Sequence, residues 1–323
     1  MHIVFRASSG HLSRSLAYAE GMRETDPSSE ITIITSGSPQ FSLPGIRQID
    51  IGTQNLPSWD LEYTENAIPE EADIILLDNC PDEKFQKAIK NKTRMVVVVD
   101  DEPKYQQYSA DAIANPNIHA HTIDYQASKD TELLLGTEFC PLGSAFDEFQ
   151  DFAKEPQERC RKISIHLGQD RKNLSIQAIR LLKQSRENFL ATVSLAKDSE
   201  KGESVAKEIG LDERFIVTDQ DPRRLSCADL AIASAETLHE FIFFRIPPVL
   251  ADPAGSPLLS DYSSRAGISL PLDLGQANFK GLHSLMENHD ERKRMSGRMT
   301  DIVDGLGRFR FAEELLRIYE DKF

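Results

Sequence analysis

The sequence predicts an α/β protein made of two doubly wound, parallel-sheet domains that face a central cleft. Apolar, strand-like runs alternate with helical segments along the whole chain. Two of these runs, Ile74–Asp78 and 95–100, are continuously apolar and end in aspartate, as parallel strands buried on both faces do. The polar segment 147–162 interrupts the alternation before a second series begins. For 323 residues two domains are expected, and we predict them at 1–150 and 151–323.

The first half of the chain alternates apolar strands with helical segments. The run 12–23 is predicted as a helix, because its apolar side chains Leu12, Leu16, Ala17 and Ala19 leave a separate polar face. Strands are predicted at 2–5, 31–35, Ile74–Asp78, 95–100, Ala112–Asn115 and Glu132–Leu135. We expect these strands to form one parallel sheet.

The second half begins with the segment 147–162, which contains Pro156 and is predicted as a helix and linker. Strands are predicted after it at 163–167, 189–194, 215–218, 228–234 and Pro248–Ala251. Helices are predicted at Leu174–Lys183, 199–209, 222–227, 236–244 and 308–319, and the stretch before the last of these is mainly helical. The two series have similar lengths, which implies a second sheet domain.

The composition argues against several classes of protein. A net charge of −15 and a pI near 5.0 disfavour a nucleic-acid-binding protein, whose binding surface is basic. No apolar run approaches the roughly 18–20 residues that cross a bilayer, so no integral membrane contact is expected. The four cysteines are scattered and are expected to be reduced thiols, which favours a cytoplasmic protein. The sequence does not indicate the oligomeric state.

The turn between the first strand and the first helix is the most informative stretch. Ser9 and Gly10 belong to a small-residue turn, and His11 falls in the first turn of the helix. Backbone N–H groups and the positive end of a helix favour an anion at such a place, and small residues let a phosphate approach closely. A histidine there can transfer a proton near neutral pH. The alternative is an ordinary βα unit whose histidine only caps the helix.

The second domain contains two turns of the same kind, of which the first follows the predicted strand 163–167. It contains Gly168, Gln169 and Asp170, and Asn173 precedes the next helix. This turn is a candidate phosphate site. The alternative is that Asp170 or Asn173 simply caps the helix.

The other turn lies further along the second domain. Ser234, Ala235 and Thr237 could offer N–H groups and hydroxyls to a diphosphate. Glu240 lies one helical turn beyond Glu236 and could hold both hydroxyls of a ribose. The alternative is that both glutamates only complement the positive N-terminus of the helix.

Four other histidines are assigned structural roles. His2 and His166 lie in or beside strands, and His166 is predicted to belong to the core. His119 and His121 could share one face of an extended segment and bind a metal ion. No carboxylate or cysteine partner is evident near them in the sequence, so we predict no metal site.

Short motifs occur in order over nearly the whole chain. They are Arg6 with 10–14 (G-H-x-x-R), 99–101 (V-D-D), 110–117 (A-D-x-x-x-N-P-N), and 295–296 with 304–310 (M-S and D-G-x-G-x-x-R). The segment 135–146 is similar to G-x-x-Y-x-x-L-R-x-x-F, with Phe139 and Gly143 at the Tyr and Arg positions, and 168–173 is similar to G-G-x-D-x-x-N, with Gln169 at the second glycine. By the order and spacing of these segments, the chain resembles the PseG/SpsG family of nucleotide-sugar enzymes, relatives of MurG within the GT-B superfamily. The fold that this resemblance implies is GT-B, with two Rossmann-like domains.

The resemblance also implies a reaction. A UDP-sugar would be bound mainly by the C-terminal domain, and His11 would act from the N-terminal domain as the general base that deprotonates the attacking oxygen. The diphosphate would leave the anomeric carbon with inversion. Glu240 would hold the ribose, and the backbone near Ile216 would face the uracil. No metal or other cofactor is expected, because N–H groups of the turns at 168 and 234–237 can hold the charge of the leaving group.

One departure from the family bears on the choice of acceptor. Hydrolases of the PseG type show R-x-D-x-S-x-x-I-G-x-G-H, whereas only four residues separate Arg6 from His11 here. The short turn favours transfer to a hydroxyl of a sugar or glycan acceptor, as in surface-polysaccharide biosynthesis. The match of the other segments favours hydrolysis, with water as acceptor, as in a pathway of the pseudaminic acid type. A nucleotide-sugar-binding protein without catalysis is a third hypothesis, against which the presence of His11 argues. We predict a glycosyltransferase, with hydrolysis as the alternative.

Overall fold

The computed structural model describes residues 1–7, 11–36, 43–52, 60–152, 154–168, 170, 172–195, 201–274 and 279–323. The chain forms two compact units. Unit 1 comprises Met1–Asp147 together with Gly305–Phe323, and unit 2 comprises Glu148–Asp304. Each unit contains one parallel sheet with helices, which confirms the predicted fold class.

The strands of unit 1 are β1 (His2–Ala7), β2 (Glu30–Thr35), β3 (Ile46–Asp50), β4 (Ile74–Asp78), β5 (Met95–Val99), β6 (Ala112–Asn115) and β7 (Glu132–Leu135). They form a seven-stranded sheet in the order β3-β2-β1-β4-β5-β6-β7, and all neighbouring pairs are parallel. The first helices are α1 (Leu12–Thr25), α2 (Leu61–Ala67) and α3 (Glu83–Lys90). Because β1 and β4 are neighbours, the chain reverses direction across the sheet between them, as in doubly wound folds.

The apolar side chains of this sheet divide into two layers, one on each face. Along β1, Phe5 belongs to one layer and Val4 to the other, since successive side chains of a strand point to opposite faces. Met22 of α1 covers the first layer, and Phe85 of α3 covers the second. Burial on both faces explains why the central strands have continuous apolar sequences.

Every strand predicted in the first half is present, and the bounds of β4, β6 and β7 agree to the residue. Strand β3 and helices α2 and α3 are not predicted from the sequence. Strand β3 lies at the edge of the sheet and is only partly buried, so its sequence lacks the apolar run of a central strand.

The strands of unit 2 are β8 (Lys162–His166), β9 (Leu190–Leu195), β10 (Phe215–Asp219), β11 (Leu230–Ala233), β12 (Pro248–Ala251) and β13 (Leu270–Leu272). They form a parallel sheet in the order β10-β9-β8-β11-β12-β13. The helices are α4 (Leu174–Lys183), α5 (Gly202–Ile209), α6 (Pro222–Leu225), α7 (Leu238–Phe243), α8 (Pro257–Arg265), α9 (Phe279–Glu287) and α10 (His289–Arg298). In the described ranges, no helix combines the length and the apolar character that crossing a membrane requires.

The helix predicted within 147–162 is wrong. A 3₁₀ helix spans Ser144–Phe149, and the described residues after it contain no further helix before β8 begins. Pro156 has no N–H to donate and disfavours a helical conformation in the residue before it. The segment is instead held by its aromatic side chains, since the rings of Phe149 and Phe152 lie 5.4 and 5.7 Å from the ring of Phe244.

The last helix, α11 (Gly307–Lys322), belongs to unit 1. The sequence predicts that all of 151–323 belongs to the second domain, whereas contacts group 305–323 with the first. The reason lies in packing, because the apolar face of α11 completes the layer beside α1. Phe311 and Leu315 are fully buried there, and the ring of Phe311 lies 4.0 Å from that of Tyr18.

A buried arginine fixes the start of α11. The guanidinium of Arg308 donates to both carboxylate oxygens of Asp147, at 2.7 and 2.6 Å, and lies 3.4 Å from a carboxylate oxygen of Glu24. Burial opposes this charge, but the two carboxylates outweigh it and raise the pKa of Arg308. Two glycines permit the close approach, because a Cβ at Gly307 would overlap the backbone of Cys140, and one at Gly21 would lie 2.5 Å from the carbonyl oxygen of Arg308.

We expect Gly21→Ala to destabilise the protein by about 1–3 kcal/mol, because the added methyl group must push α11 away from α1. The matched control is Gly297→Ala in α10, where a Cβ would meet no atom within 4 Å. That change should be neutral or stabilise the helix by up to about 1 kcal/mol. Urea unfolding of both variants measures the difference, and equal stability of the Gly21 variant and the wild type would contradict the packing described here.

Candidate functional site

The first group of candidate residues lies at the carboxyl edge of the sheet in unit 1. His11 directly precedes α1, and Asp78 is the last residue of β4. Asp100 and Asp101 follow β5 directly. The carboxyl ends of parallel strands meet at one edge of a sheet, which is where α/β domains bind ligands.

Arg14 joins two of these carboxylates. Its guanidinium donates to Asp78 at 2.5 and 3.2 Å and to Asp101 at 2.5 Å. Burial disfavours the charge of Arg14, but Asp101 and Asp78 outweigh it and hold its pKa well above the ordinary value. Burial alone would raise the pKa of Asp101, yet the guanidinium lowers it far below its usual range. The three groups therefore form a charged, hydrogen-bonded unit.

The imidazole of His11 lies against this unit. Its Nδ1 is 3.1 Å from Nη2 of Arg14, and its Nε2 is 3.1 Å from Nδ2 of Asn79. The carboxylates of Asp78 and Asp101 lie 3.9 and 4.0 Å from Nδ1. We refer to His11, Arg14, Asp78, Asn79 and Asp101 as the His11 cluster.

The cluster allows two tautomers of His11. A neutral imidazole has one acceptor nitrogen, but Arg14 and Nδ2 of Asn79 can only donate. The contact with Arg14 therefore requires the ring proton on Nε2, and the contact with Asn79 requires it on Nδ1. In the other tautomer the proton lies on Nδ1, near the carboxylates of Asp78 and Asp101, and Nε2 becomes basic. Exchange between the two requires Arg14 to turn away from Nδ1. The side chain of His11 is 21% exposed, so a reactant can reach it.

Hydrogen bonds and an ion pair of neighbouring side chains surround Asp100 and Asp101, the two aspartates that follow β5. Asp100 is fully buried, accepts from the hydroxyl of Tyr108 at 2.5 Å, and lies 3.2 Å from Nζ of Lys104. Burial raises the pKa of Asp100. Asn117 donates to Asp101 at 2.6 Å. The V-D-D and N-P-N segments quoted above thus meet in space and hold Asp101 in place.

Two site residues predicted beside His11, Ser9 and Gly10, lie outside the described residues. Conversely, Asp78 and Asn79 are not among the predicted site residues. An acid at the end of a buried strand was the available signal for Asp78, but its pairing with Arg14 depends on β1 and β4 being neighbours.

In unit 2, the turn after β8 is shaped by two carboxylates. Gly168 has a φ of +59°, a conformation that favours glycine, and a carboxylate oxygen of Glu236 occupies the place where a Cβ would lie. Asp170 is buried and accepts from the backbone N–H of Leu174 at 2.5 Å. It also accepts from the N–H of Ser175, at 3.3 Å. Asp170 therefore caps α4, which is one of the two alternatives left open by the sequence.

The sequence predicts two further site residues in this turn. Asn173 has a φ of 54°, and its side chain makes no capping hydrogen bond. Gln169 lies outside the described residues.

In the turn before α7, the hydroxyl of Thr237 is hydrogen-bonded within the protein. Oγ1 of Thr237 donates to the carbonyl oxygen of His166 at 2.7 Å and accepts from the N–H of Ser234 at 3.2 Å. Thr237 is 3% exposed, whereas Ser234 and Ala235 are partly exposed and Glu236 is exposed. The hydroxyl of Thr237 thus ties the turn to β8 rather than pointing to solvent.

Glu240 lies on α7, and one of its oxygens, Oε2, is 3.1 Å from Nε2 of His166. Its side chain is 23% exposed, while that of His166 is 3% exposed. His166 is buried, as predicted, but it contacts a proposed site residue.

Ile216 lies on β10, the edge strand of the sheet in unit 2, and pairs with Thr192 of β9. Ile216 and Val217 are 45% and 41% exposed. Among the described strands β10 has a neighbour on one side only, so the other side can present backbone groups to a ligand.

One group of possible metal ligands occurs among the described residues. Ligand atoms of Glu187, His283 and Glu287 all lie within 4.8 Å of one another. Both glutamates are exposed, and exposed acidic groups often meet in this way without an ion, so the geometry alone does not make a metal site. His119, which the H-x-H pattern singled out, is instead buried at 2% exposure.

No protein-family model matches the chain, and no curated protein sequence matches it. Solved structures do match. MurG of Acinetobacter baumannii is similar with a TM-score of 0.64 and 12% identity, over 98% of this chain and 100% of that one. A putative UDP-N-acetylglucosamine 2-epimerase of Listeria monocytogenes is similar with a TM-score of 0.60 and 13% identity, over 100% and 97%.

The glycosyltransferase SnogD of Streptomyces nogalater is a further match, with a TM-score of 0.61 and 11% identity over 99% of both chains. At these identities the likeness concerns the fold. The chain therefore has the GT-B fold, with two parallel-sheet α/β domains, as the sequence predicts. A closer relationship to the PseG/SpsG family stays an expectation.

The burial of His119 generates a pH prediction. Burial lowers the pKa of His119 below its ordinary value of about 6.5. The backbone and the negative charge of Asp101 act to raise this pKa, but burial outweighs them. The unfolded chain then binds a proton that the folded chain does not. Stability is therefore full above a pH of about 6.5 and falls as the pH drops below it.

We expect His119→Phe, which removes this titration, to unfold in urea with a weaker dependence of its free energy on pH between pH 7.5 and 5.5. The slopes of variant and wild type should differ by up to about 1.4 kcal/mol per pH unit, the value for one proton. Identical slopes would show that His119 titrates equally in both states.

Proposed function

We propose that this protein transfers a glycosyl group from a UDP-sugar to a hydroxyl of a sugar or glycan acceptor, with His11 as the general base. The observation that carries the proposal is the His11 cluster, in which a partly exposed imidazole lies beside Asp78 and Asp101 at the carboxyl edge of a parallel sheet. The GT-B fold, shared with MurG and with a putative UDP-N-acetylglucosamine 2-epimerase, supports it. A cytoplasmic location belongs to the same proposal.

In the proposed reaction, Nε2 of His11 takes the proton of the acceptor hydroxyl while the oxygen of this hydroxyl attacks the anomeric carbon of the sugar. The bond from this carbon to the UDP oxygen breaks on the opposite face, so the configuration inverts and UDP leaves. The imidazolium then carries its other proton on Nδ1, 3.9 and 4.0 Å from the carboxylates of Asp78 and Asp101. These negative charges offset the positive charge of Arg14, whose Nη2 lies 3.1 Å from Nδ1, when the ring takes up the proton. The mechanism requires no metal ion.

Unit 2 is proposed to bind the nucleotide. Glu240 accepts from the hydroxyls of the ribose, and the backbone at Ile216 on the edge strand contacts the uracil. The backbone of Gly168 and Ala235 meets the diphosphate, for which the carboxylate of Glu236 has to swing away from Gly168. Asp170 and Thr237 act by shaping these turns, because their side-chain oxygens are already bonded within the protein.

Hydrolysis of the UDP-sugar is the second candidate. It uses the same base and leaving group, with water in place of the acceptor hydroxyl. The segments that resemble the PseG/SpsG family favour it, whereas the short turn between Arg6 and His11 favours transfer.

The experiment that tests the proposal measures UDP release from a panel of UDP-sugars, with and without candidate sugar acceptors. We expect release that depends on an acceptor and yields a glycoside. Release without acceptor, together with free sugar, would identify a hydrolase. No release from any UDP-sugar, and no binding of UDP, would contradict both reactions.

His11→Gln is expected to lower kcat by about 10²–10⁴-fold, because the amide is similar in size but accepts no proton. The dissociation constant of UDP should stay unchanged, since the nucleotide is assigned to unit 2. His283→Gln, which changes a partly exposed histidine of α9, serves as the control and should retain full turnover. Normal turnover of the His11 variant would remove this residue from the mechanism.

A further inference from the structure

A buried histidine lies directly beneath Glu240. His166 is the last residue of β8 and is 3% exposed. Its Nε2 lies 3.1 Å from Oε2 of Glu240. The proposed mechanism does not use this contact, although it joins a core residue to a residue assigned to the nucleotide.

The position of the His166 ring is determined by its surroundings. The ring packs edge-to-face against Phe241, with centroids 6.2 Å apart and an interplanar angle of 73°. The carbonyl oxygen of the same residue accepts from Thr237 at 2.7 Å. His166 is therefore linked to the start of α7 through both its backbone and its side chain, and little freedom remains for the ring.

The surroundings also fix where the ring proton lies. Nδ1 of His166 is buried and has no hydrogen-bond partner among the described residues. A buried N–H without an acceptor costs about 1–3 kcal/mol, which favours the proton on Nε2, the nitrogen that lies 3.1 Å from Oε2 of Glu240. The ring then presents its N–H to one oxygen of the carboxylate.

This contact leaves the rest of the carboxylate to a ligand. Glu240 is 23% exposed, and its contact with His166 is the only side-chain hydrogen bond or ion pair of Glu240 in the part of the chain that the structure describes. Because Oε2 contacts His166, the rotation of the Glu240 carboxylate is restricted. The direction in which Oε1 points is then restricted as well. A fixed acceptor is what recognition of a pair of neighbouring hydroxyls needs.

We infer that His166 is a positioning residue that orients Glu240, so that the site selects a nucleotide with both ribose hydroxyls over its 2′-deoxy counterpart. The inference rests on the proposed function, because it takes a UDP-sugar as the ligand. A site built to bond a hydroxyl disfavours an analogue that lacks it, because the partner group is then left without its hydrogen bond.

The test compares binding of UDP and of 2′-deoxy-UDP by calorimetry. The wild type should prefer UDP by about 10-fold or more, the value of one hydrogen bond to a charged group. His166→Phe keeps an aromatic ring against Phe241 but removes the donor, and it should lose most of this preference. His166→Gln, whose amide can replace the Nε2–H donor, should restore it, while His166→Asn is too short to reach Glu240 and should not.

Glu240→Ala is the reference variant. It should lose the preference completely, and adding His166→Phe to it should cause no further loss, because the two residues act through one contact. If Glu240→Ala loses the preference while His166→Phe and His166→Asn keep it, the positioning role is overturned and the nucleotide site survives. If Glu240→Ala binds UDP as the wild type does and with the same preference, the ribose assignment in the proposed function fails as well. Should His166→Phe not fold, the Asn and Gln variants decide between these outcomes.

Discussion

The ion pairs of Arg14 are the interaction on which the candidate site of unit 1 depends. One guanidinium holds carboxylates from the ends of two strands, Asp78 after β4 and Asp101 after β5. Without its charge, two acidic groups would face each other in a largely buried place, which costs several kcal/mol. The same guanidinium donates to Nδ1 of His11, while the amide of Asn79 donates to Nε2, so the two compete over which nitrogen carries the proton. The strand ends and the helix start are thus joined by one side chain.

Much of the fold follows from the sequence, because burial on two faces leaves a clear apolar pattern. Strand β4 is predicted to the residue for this reason. Strands β3 and β13 lie at sheet edges and carry weaker patterns, so neither is predicted. The apolar stripe of α11 predicts that one face of the helix is buried, but it does not indicate which of the two units this face packs against. That choice is made by contacts with α1, nearly the whole chain length away in sequence.

The candidate site is predicted in part. His11 and Glu240 stand out because each lies where a strand leads into a helix, and the chemistry of their side chains suits a base and a ribose acceptor. Their partners Asp78 and His166 do not stand out, because sheet order rather than sequence spacing brings them close. Thr237 shows the opposite case. A threonine hydroxyl can bind a phosphate, but that of Thr237 already donates to the carbonyl oxygen of His166 at the end of β8.

The return of α11 to unit 1 has a consequence for biosynthesis. Unit 2 is one continuous stretch of chain, whereas the core of unit 1 contains Phe311 and Leu315 from the last helix. A ribosome delivers the chain from its N-terminus. All residues of unit 2 are therefore synthesised before α11, which unit 1 needs to complete its core. The unit that begins first is therefore completed last, and its apolar layer beside α1 stays uncovered until α11 packs on it.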